Sequence, residues 1–128
     1  MRTGLLDTSV ILEWDDPVVI AGLPDEAAIS AVTLAELSTG PPLATDPAER
    51  ARRQTRVQQL ESLFDPLPFD AAAARNYAEI VAGVGVTGAR PWSALLIAAT
   101  ARANRLPLYT RRREDAAMLA SLLKVVVV

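Results

Sequence analysis

The sequence predicts an α/β domain in which a mostly parallel central sheet lies between two layers of helices. Three observations carry that expectation. Short apolar runs of strand length at residues 4–6, 27–30, 106–110 and 125–128 alternate with stretches of helical character. Residue types that start helices follow the first runs directly, as in units that cross from one parallel strand to the next. The length of 128 residues, with 51% hydrophobic and 22% charged, fits one domain, spanning residues 1–128, that can bury a real core.

The elements follow in order. Gly4-Leu5-Leu6 is a buried strand, and Asp7-Thr8-Ser9 supplies caps for a short helix that runs through Val10-Ile11-Leu12 and ends near Asp15-Asp16-Pro17. Residues 27–30 form a second strand, after which Thr33-Leu34-Ala35-Glu36-Leu37 begins a helix. Thr33 and Glu36 have the spacing of a capping box, which gives Glu36 a purely structural reading. Gly40-Pro41-Pro42 interrupts or ends that helix. A new one starts with Asp46 as N-cap and Pro47 in its first turn, with Val57, Leu60, Leu63 and Phe64 as its apolar stripe.

Asp65-Pro66-Leu67-Pro68 is a short extended piece, expected as a third strand with poor capacity for ladder bonds. Asp70 caps a helix running to about residue 81, and residues 83–88 form a glycine-rich loop. Pro91 or Ser93 opens the next helix, which extends from Ala94 to about Ala103 and is apolar enough to be central. A strand at 106–110, a helix at 113–122 and a last strand at 125–128 complete the chain.

Composition narrows the chemistry. There is no Cys, so disulfides, thiolate metal sites and a cysteine nucleophile are excluded. There is no His, which removes imidazole bases, His-ligated zinc and Ser-His-Asp triads. A net charge of −2 argues against a whole-chain attraction to nucleic acid, although cations cluster at residues 50–56 and 111–113. All but one of the 13 cations are arginine. The apolar runs fall far short of the ~20 residues of a membrane span, and Asp7 arrives too early for a signal-peptide core, so a cytoplasmic protein is expected.

In parallel α/β sheets ligands bind beyond the carboxyl ends of the strands. Asp7, Glu36 and Asp115 all fall there, each after a different strand. Three carboxylates brought together repel, and a hard divalent cation with all-oxygen preference, Mg²⁺ or Mn²⁺, relieves that repulsion. Such a site activates water and stabilises a phosphoryl transition state without His or Cys.

The segments Leu5-Leu6-Asp7-Thr8-Ser9-Val10, residues 30–37, Leu95-Leu96-Ile97-Ala98-Ala99-Thr100-Ala101 and Leu106-Pro107-Leu108-Tyr109-Thr110-Arg111 together resemble the PIN-domain ribonucleases. The resemblance is closest to the VapC toxins of VapBC toxin–antitoxin systems, and it covers essentially the whole chain in order. It implies a PIN-like fold in which Asp7, Glu36 and Asp115 belong to an acidic Mg²⁺ or Mn²⁺ site, with Thr8, Ser9 and Thr110 as hydroxyl neighbours. It further implies endonucleolytic cleavage of RNA, a VapB-type antitoxin as partner, and a homodimer.

The chain departs from the family at one important place. These toxins usually carry an Asp directly before the Leu-Leu-Ile-Ala-Ala-Thr-Ala stretch, and here that position is Ala94, preceded by Ser93. No acid occurs between Glu79 and Glu114 to replace it. Arg112 stands where the family often has Asn, and Ala116 where it has Phe. Loss of one acid lowers metal affinity and the hold on the attacking water, commonly by ~10–100-fold. The expectation is a weakened or inactive nuclease, with a catalytically dead antitoxin-binding module as the alternative.

Simpler readings stand beside these. Asp7 serves equally as a helix cap, and either Glu114 or Asp115 could be the surface residue of its pair. Residues 83–88 match the dinucleotide fingerprint letter for letter, but a helix precedes them where the mechanism needs a strand. Arg50, Arg52, Arg53 and Arg56 read as a solvated helix face paired with Glu49 and Glu61, with phosphate contact as the alternative. Arg90, Arg111 and Arg112 lie nearer the acids and are the candidate phosphate contacts, with simple pairing to an acid as the other reading of Arg90. Trp14 and Trp92 are read as packing or partner contacts rather than base platforms.

Overall fold

The chain is seen in a computed structural model that describes residues 1–85 and 92–128. Its elements run β1 (Thr3–Leu6), α1 (Thr8–Ile11), α2 (Pro17–Gly22), β2 (Glu26–Ile29), α3 (Ala31–Ser38) and α4 (Gly40–Leu43). They continue with α5 (Pro47–Leu63), α6 (Ala71–Val84), α7 (Trp92–Ala103), β3 (Leu108–Thr110), α8 (Arg113–Leu119) and β4 (Val125–Val127). The strands form one sheet in the order β2-β1-β3-β4, and every pairing is parallel.

Register explains the layers. Leu5 pairs with Leu108, while Leu6 pairs with Ile29 on one side and Tyr109 on the other. Successive residues of a strand face opposite ways, so these two sets build two cores. Leu5 and Leu108 pack with Ile80 of α6, the buried side of α7 and Leu119 of α8. Leu6, Ile29 and Tyr109 pack with Val10 and Ile11 of α1, Val19 of α2 and Leu60 of α5. α7 is the central helix that its composition predicts, with Ile97 through Ala101 all buried.

The middle of this sheet sets the position of the site. From β1 the chain moves to β2 on one side, and β3 later joins on the other. The carboxyl ends of β1 and β3 therefore flank the point where the strand order switches, where a crevice opens in such folds. Earlier in β1, Gly4 leaves room for the Tyr109 ring of β3, which a Cβ would run into.

Several elements differ from the sequence expectation. Asp16-Pro17 ends nothing; Asp16 caps α2 through a 2.9 Å bond from the Val18 N–H, with Pro17 in the first turn. Residues 65–68 form no strand. Leu67 alone makes a bridge, donating to Ile29 O (2.9 Å) and accepting from the Ala31 N–H (2.8 Å), because the prolines on either side have no N–H to offer.

α3 does stop before the Gly-Pro-Pro segment, at Ser38 as expected, but that segment is itself the short helix α4. On α5, Val57 and Leu60 are buried as expected, but Leu63 lies off the edge of that stripe and is exposed. α6 runs on through Gly83 and Val84 to a cap at Gly85, whose φ of 85° is a conformation that glycine tolerates. The last helix ends at Leu119, since the chain must turn back for Lys124 O to accept from the Leu108 N–H and let β4 pair with β3.

Candidate active site

Asp7 follows β1 and caps α1. Its Oδ1 accepts from the Val10 N–H at 3.2 Å and from the Ser9 hydroxyl at 2.5 Å, and its own N–H is fixed to Tyr109 O at 3.0 Å. The side chain is buried with 8% of the residue exposed. Capping uses only Oδ1; among the described residues Oδ2 carries no hydrogen bond. The capping and ligand readings of Asp7 thus occupy different oxygens.

Ser9 ties two strand ends together. Besides donating to Asp7, its Oγ accepts from the Arg111 N–H at 3.0 Å and lies 3.4 Å from Thr110 Oγ1. Thr110 Oγ1 in turn accepts from the Arg112 N–H at 3.0 Å. These hydroxyls fix the ends of β1 and β3 against each other. They hold the chain path as well as flanking the acids.

Glu36 is not the partner in a capping box. Ser30 caps α3, accepting from the Thr33 N–H at 3.2 Å, so Thr33 sits inside the helix and Glu36 lies beyond its first turn. What holds Glu36 is Thr8, whose hydroxyl donates to Oε1 at 2.7 Å and lies 3.2 Å from Thr33 Oγ1. A hydroxyl from the end of β1 thus orients a carboxylate from the helix after β2.

Asp115 lies in the first turn of α8 and points inward with 7% of the residue exposed, whereas the Glu114 side chain is 72% exposed. The adjacent acids are thereby distinguished. Arg112 Nε lies 3.3 Å from Asp115 Oδ2 and 3.7 Å from Glu114 Oε1. Burial pushes the Asp115 carboxyl above its ordinary range, outweighing the pull of Arg112 in the other direction, and the charges of Asp7 and Glu114 add to the rise.

These groups meet in one open cleft of about 190 Å³, lined by Asp7, Glu36 and Asp115 with Thr8, Ser9 and Arg112. Ala94 and Ser93, from the first turn of α7, line it too. The place where a fourth acid is absent from the sequence is therefore part of this wall. Arg111 turns the other way, its Nε donating to Glu13 at 2.9 Å and its Nη1 to Val128 O at 2.8 Å. Arg90 lies outside the described residues, as does the end of the glycine-rich segment. Its earlier glycines have structural uses: Gly83 packs against Leu122 and Gly85 ends α6.

The donor set is all oxygen and suits a hard divalent cation. The charge of Asp7 adds to the cost of ionising Asp115, a repulsion that a cation relieves. Among the described residues no three carboxylates stand close enough to hold one ion together. Asp7 and Asp115 are the two carboxylates that interact across the cleft and could share an ion, while Thr8 holds Glu36. Ser93 is a hydroxyl of this cleft that the sequence reading passed over; its position directly before Ala94 is the signal that could have found it.

Comparison with known proteins shows the family. A model of the PIN domain matches residues 4–112, ending just short of Asp115. Ribonuclease VapC8 of Mycobacterium tuberculosis is 39% identical over 101 residues, covering 77% of this chain and 89% of that protein. Ribonuclease VapC4 of the same species is 36% identical over 123 residues, or 92% of each chain. Among solved structures, VapBC-5 from M. tuberculosis, a member of the VapBC family of toxin–antitoxin systems, matches with TM-score 0.84 and 33% identity over 100% of this chain and 98% of that one. FitAcB from Neisseria gonorrhoeae matches with TM-score 0.77 and 32% identity over 94% of both chains.

Proposed function

Because this chain belongs to the PIN-domain family and, within it, to the VapC group, we propose that it is the toxin of a toxin–antitoxin pair, a metal-dependent endoribonuclease restrained by a VapB-type antitoxin. The observation that carries the reading is the convergence of Asp7, Glu36 and Asp115, from the segments that follow three different strands, on one cleft. We read residues 1–128 as one PIN domain that acts in the cytoplasm as a homodimer; among the described residues no helix is long and apolar enough to cross a membrane.

Asp7, whose Oδ2 carries no hydrogen bond among the described residues, and Asp115 are the residues that would hold Mg²⁺ or Mn²⁺. A cation held there supplies Lewis acidity toward a phosphodiester and a bound water of lowered pKa. Glu36 has Oε1 fixed by Thr8 and keeps Oε2 to orient a water or accept its proton. Among the described residues Arg112 is the cation that lines this cleft; its guanidinium can hold a phosphate oxygen while still offsetting the charge of Asp115. Ser9 and Thr110 keep the two strand ends, and so Asp7, in place.

Ala94 leaves the α7 wall of the cleft without a carboxylate. A missing ligand or ligand-supporting group commonly costs about 10–100-fold in metal affinity or activity. We therefore assign this chain weak cleavage at most. The second reading, a PIN module that occupies an antitoxin without cutting RNA, draws on the same residue.

The test is cleavage of a structured-RNA panel with Mn²⁺ by this chain and by Ala94→Asp. Cleavage created or enhanced by Ala94→Asp, sensitive to EDTA and abolished by Asp7→Ala, is the expected result. A restored-acid protein that neither cuts RNA nor binds Mn²⁺ overturns the catalytic reading and leaves the antitoxin-binding module.

A further inference from the structure

The acidic cleft opens into a second and larger hollow of about 420 Å³, with Thr8, Leu12 and Glu36 shared between the two. That size lies within the ~300–1,000 Å³ of small-ligand sites. Its far wall is α5, which presents Glu49, Arg53 and Arg56 at i, i+4 and i+7, one face of the helix.

The arginines of α5 divide by what they bind. Arg50 donates to Pro41 O and Ala44 O, and holds α4 in place. Arg52 and Arg53 both pair with Glu49, at 2.6 and 3.0 Å, and Arg53 also donates to Gly40 O at 2.9 Å. One carboxylate thus serves two guanidiniums, which hold its pKa below the ordinary range. Arg56 has no carboxylate within 4.0 Å among the described residues. The pairing with Glu61 that the sequence suggests is not made.

The groove is therefore acidic at one end and carries surplus positive charge at the other, with Glu36 between them. We propose that Arg56, supported by Arg53, is a phosphate-binding subsite for the single-stranded RNA backbone next to the phosphodiester being cut. This rests on the nuclease reading above and adds a substrate-positioning role for α5. Arg53 is pre-oriented by Glu49 and Gly40, and Arg56 keeps its N–H groups for an anion. The carboxylates at the other end repel a phosphate in the absence of metal, so the subsite also sets which phosphate of the strand lies over Asp7 and Asp115.

The test measures the anisotropy of a short fluorescein-labelled oligouridylate against salt concentration, in EDTA. The proteins are the parent chain, Arg56→Ala, Arg56→Lys, and Arg75→Ala as an equal charge change on the exposed side of α6. Each lost phosphate contact on a single strand reduces the log–log salt slope by about 0.7. Arg56→Ala should show that reduction with unchanged melting temperature, Arg56→Lys should recover most of it, and Arg75→Ala should leave it as in the parent.

If Arg56→Ala and Arg75→Ala share the parent slope while Ala94→Asp still cuts RNA, the subsite is refuted and the nuclease reading stands. If neither the parent nor Ala94→Asp binds or cuts RNA, both fall. Should Arg56→Ala spare RNA binding but weaken capture of the antitoxin, the groove is a protein-docking site and the RNA proposal is overturned.

Discussion

Ser9→Ala tests how the site is held together. The Ser9 hydroxyl is a two-way link: it donates to the Asp7 carboxylate at 2.5 Å and accepts the Arg111 N–H at 3.0 Å, across a sequence separation of 102 residues. Removing it takes a hydrogen bond from a charged acceptor, worth about 1.5–3 kcal/mol, and leaves a half-buried backbone N–H without its partner, about 1–3 kcal/mol more. Water can enter the space of one lost hydroxyl at this partly open place, so the two costs do not add in full. The expected loss is about 2–3 kcal/mol, or roughly 8–12 °C in Tm at about 4 °C per kcal/mol for a domain of this length. Thermal denaturation by circular dichroism in EDTA measures it. Ser9→Ala melting within about 2 °C of the parent would refute the idea that this hydroxyl couples the ends of β1 and β3.

Other expectations follow from the same geometry. The Asp115 carboxyl is raised in the folded protein, so the native state holds its proton more tightly than the unfolded chain does, and stability is lost as pH rises from the ordinary carboxylate range through the raised value. Asp115→Asn should therefore gain in Tm over the parent across that window in EDTA, and parallel curves would contradict it. Gly4→Ala sets a methyl against the Tyr109 ring between paired strands, an overpacking expected to cost about 1–3 kcal/mol and visible as a lower urea midpoint. Ala94→Asp adds a carboxylate to a cleft that already holds three, so its Tm in EDTA should fall below the parent's. Mn²⁺ at 100 times its Kd should then raise it by about 2.7 kcal/mol, roughly 10 °C. No rise with Mn²⁺ would mean that the cleft does not bind the metal.

What the sequence made legible was mostly local. Asp46-Pro47 and Asp70 announce their helices by side chains that accept from N–H groups within three residues, and those bonds form. The apolar run after Ala94 could only be central. Where reading failed, a distant contact decides between equal local signals. Asp16-Pro17 reads as a stop, and Val19 burying against the sheet makes it a start. Ser30 and Thr33 are both hydroxyls able to cap α3, and the bridge from Ser30 to Leu67 settles it for Ser30. Arg111 and Arg112 are indistinguishable in sequence, yet one reaches Glu13 and the carbonyl of Val128 while the other reaches Asp115.

The same failure explains why the second half of the groove was invisible while the acids were not. Strand ends converge by topology, so any acid placed just after an apolar strand run is a candidate before contacts are known. Arginines on α5 carry no such marker. Four of them within seven residues look alike, and only the way Glu49, Gly40, Pro41 and Ala44 engage Arg50, Arg52 and Arg53 singles out Arg56. A candidate cation on α5 is thus singled out by elimination, through the partners that its neighbours hold. A candidate acid is singled out by position, because the chain after each strand is delivered to the same edge of the sheet.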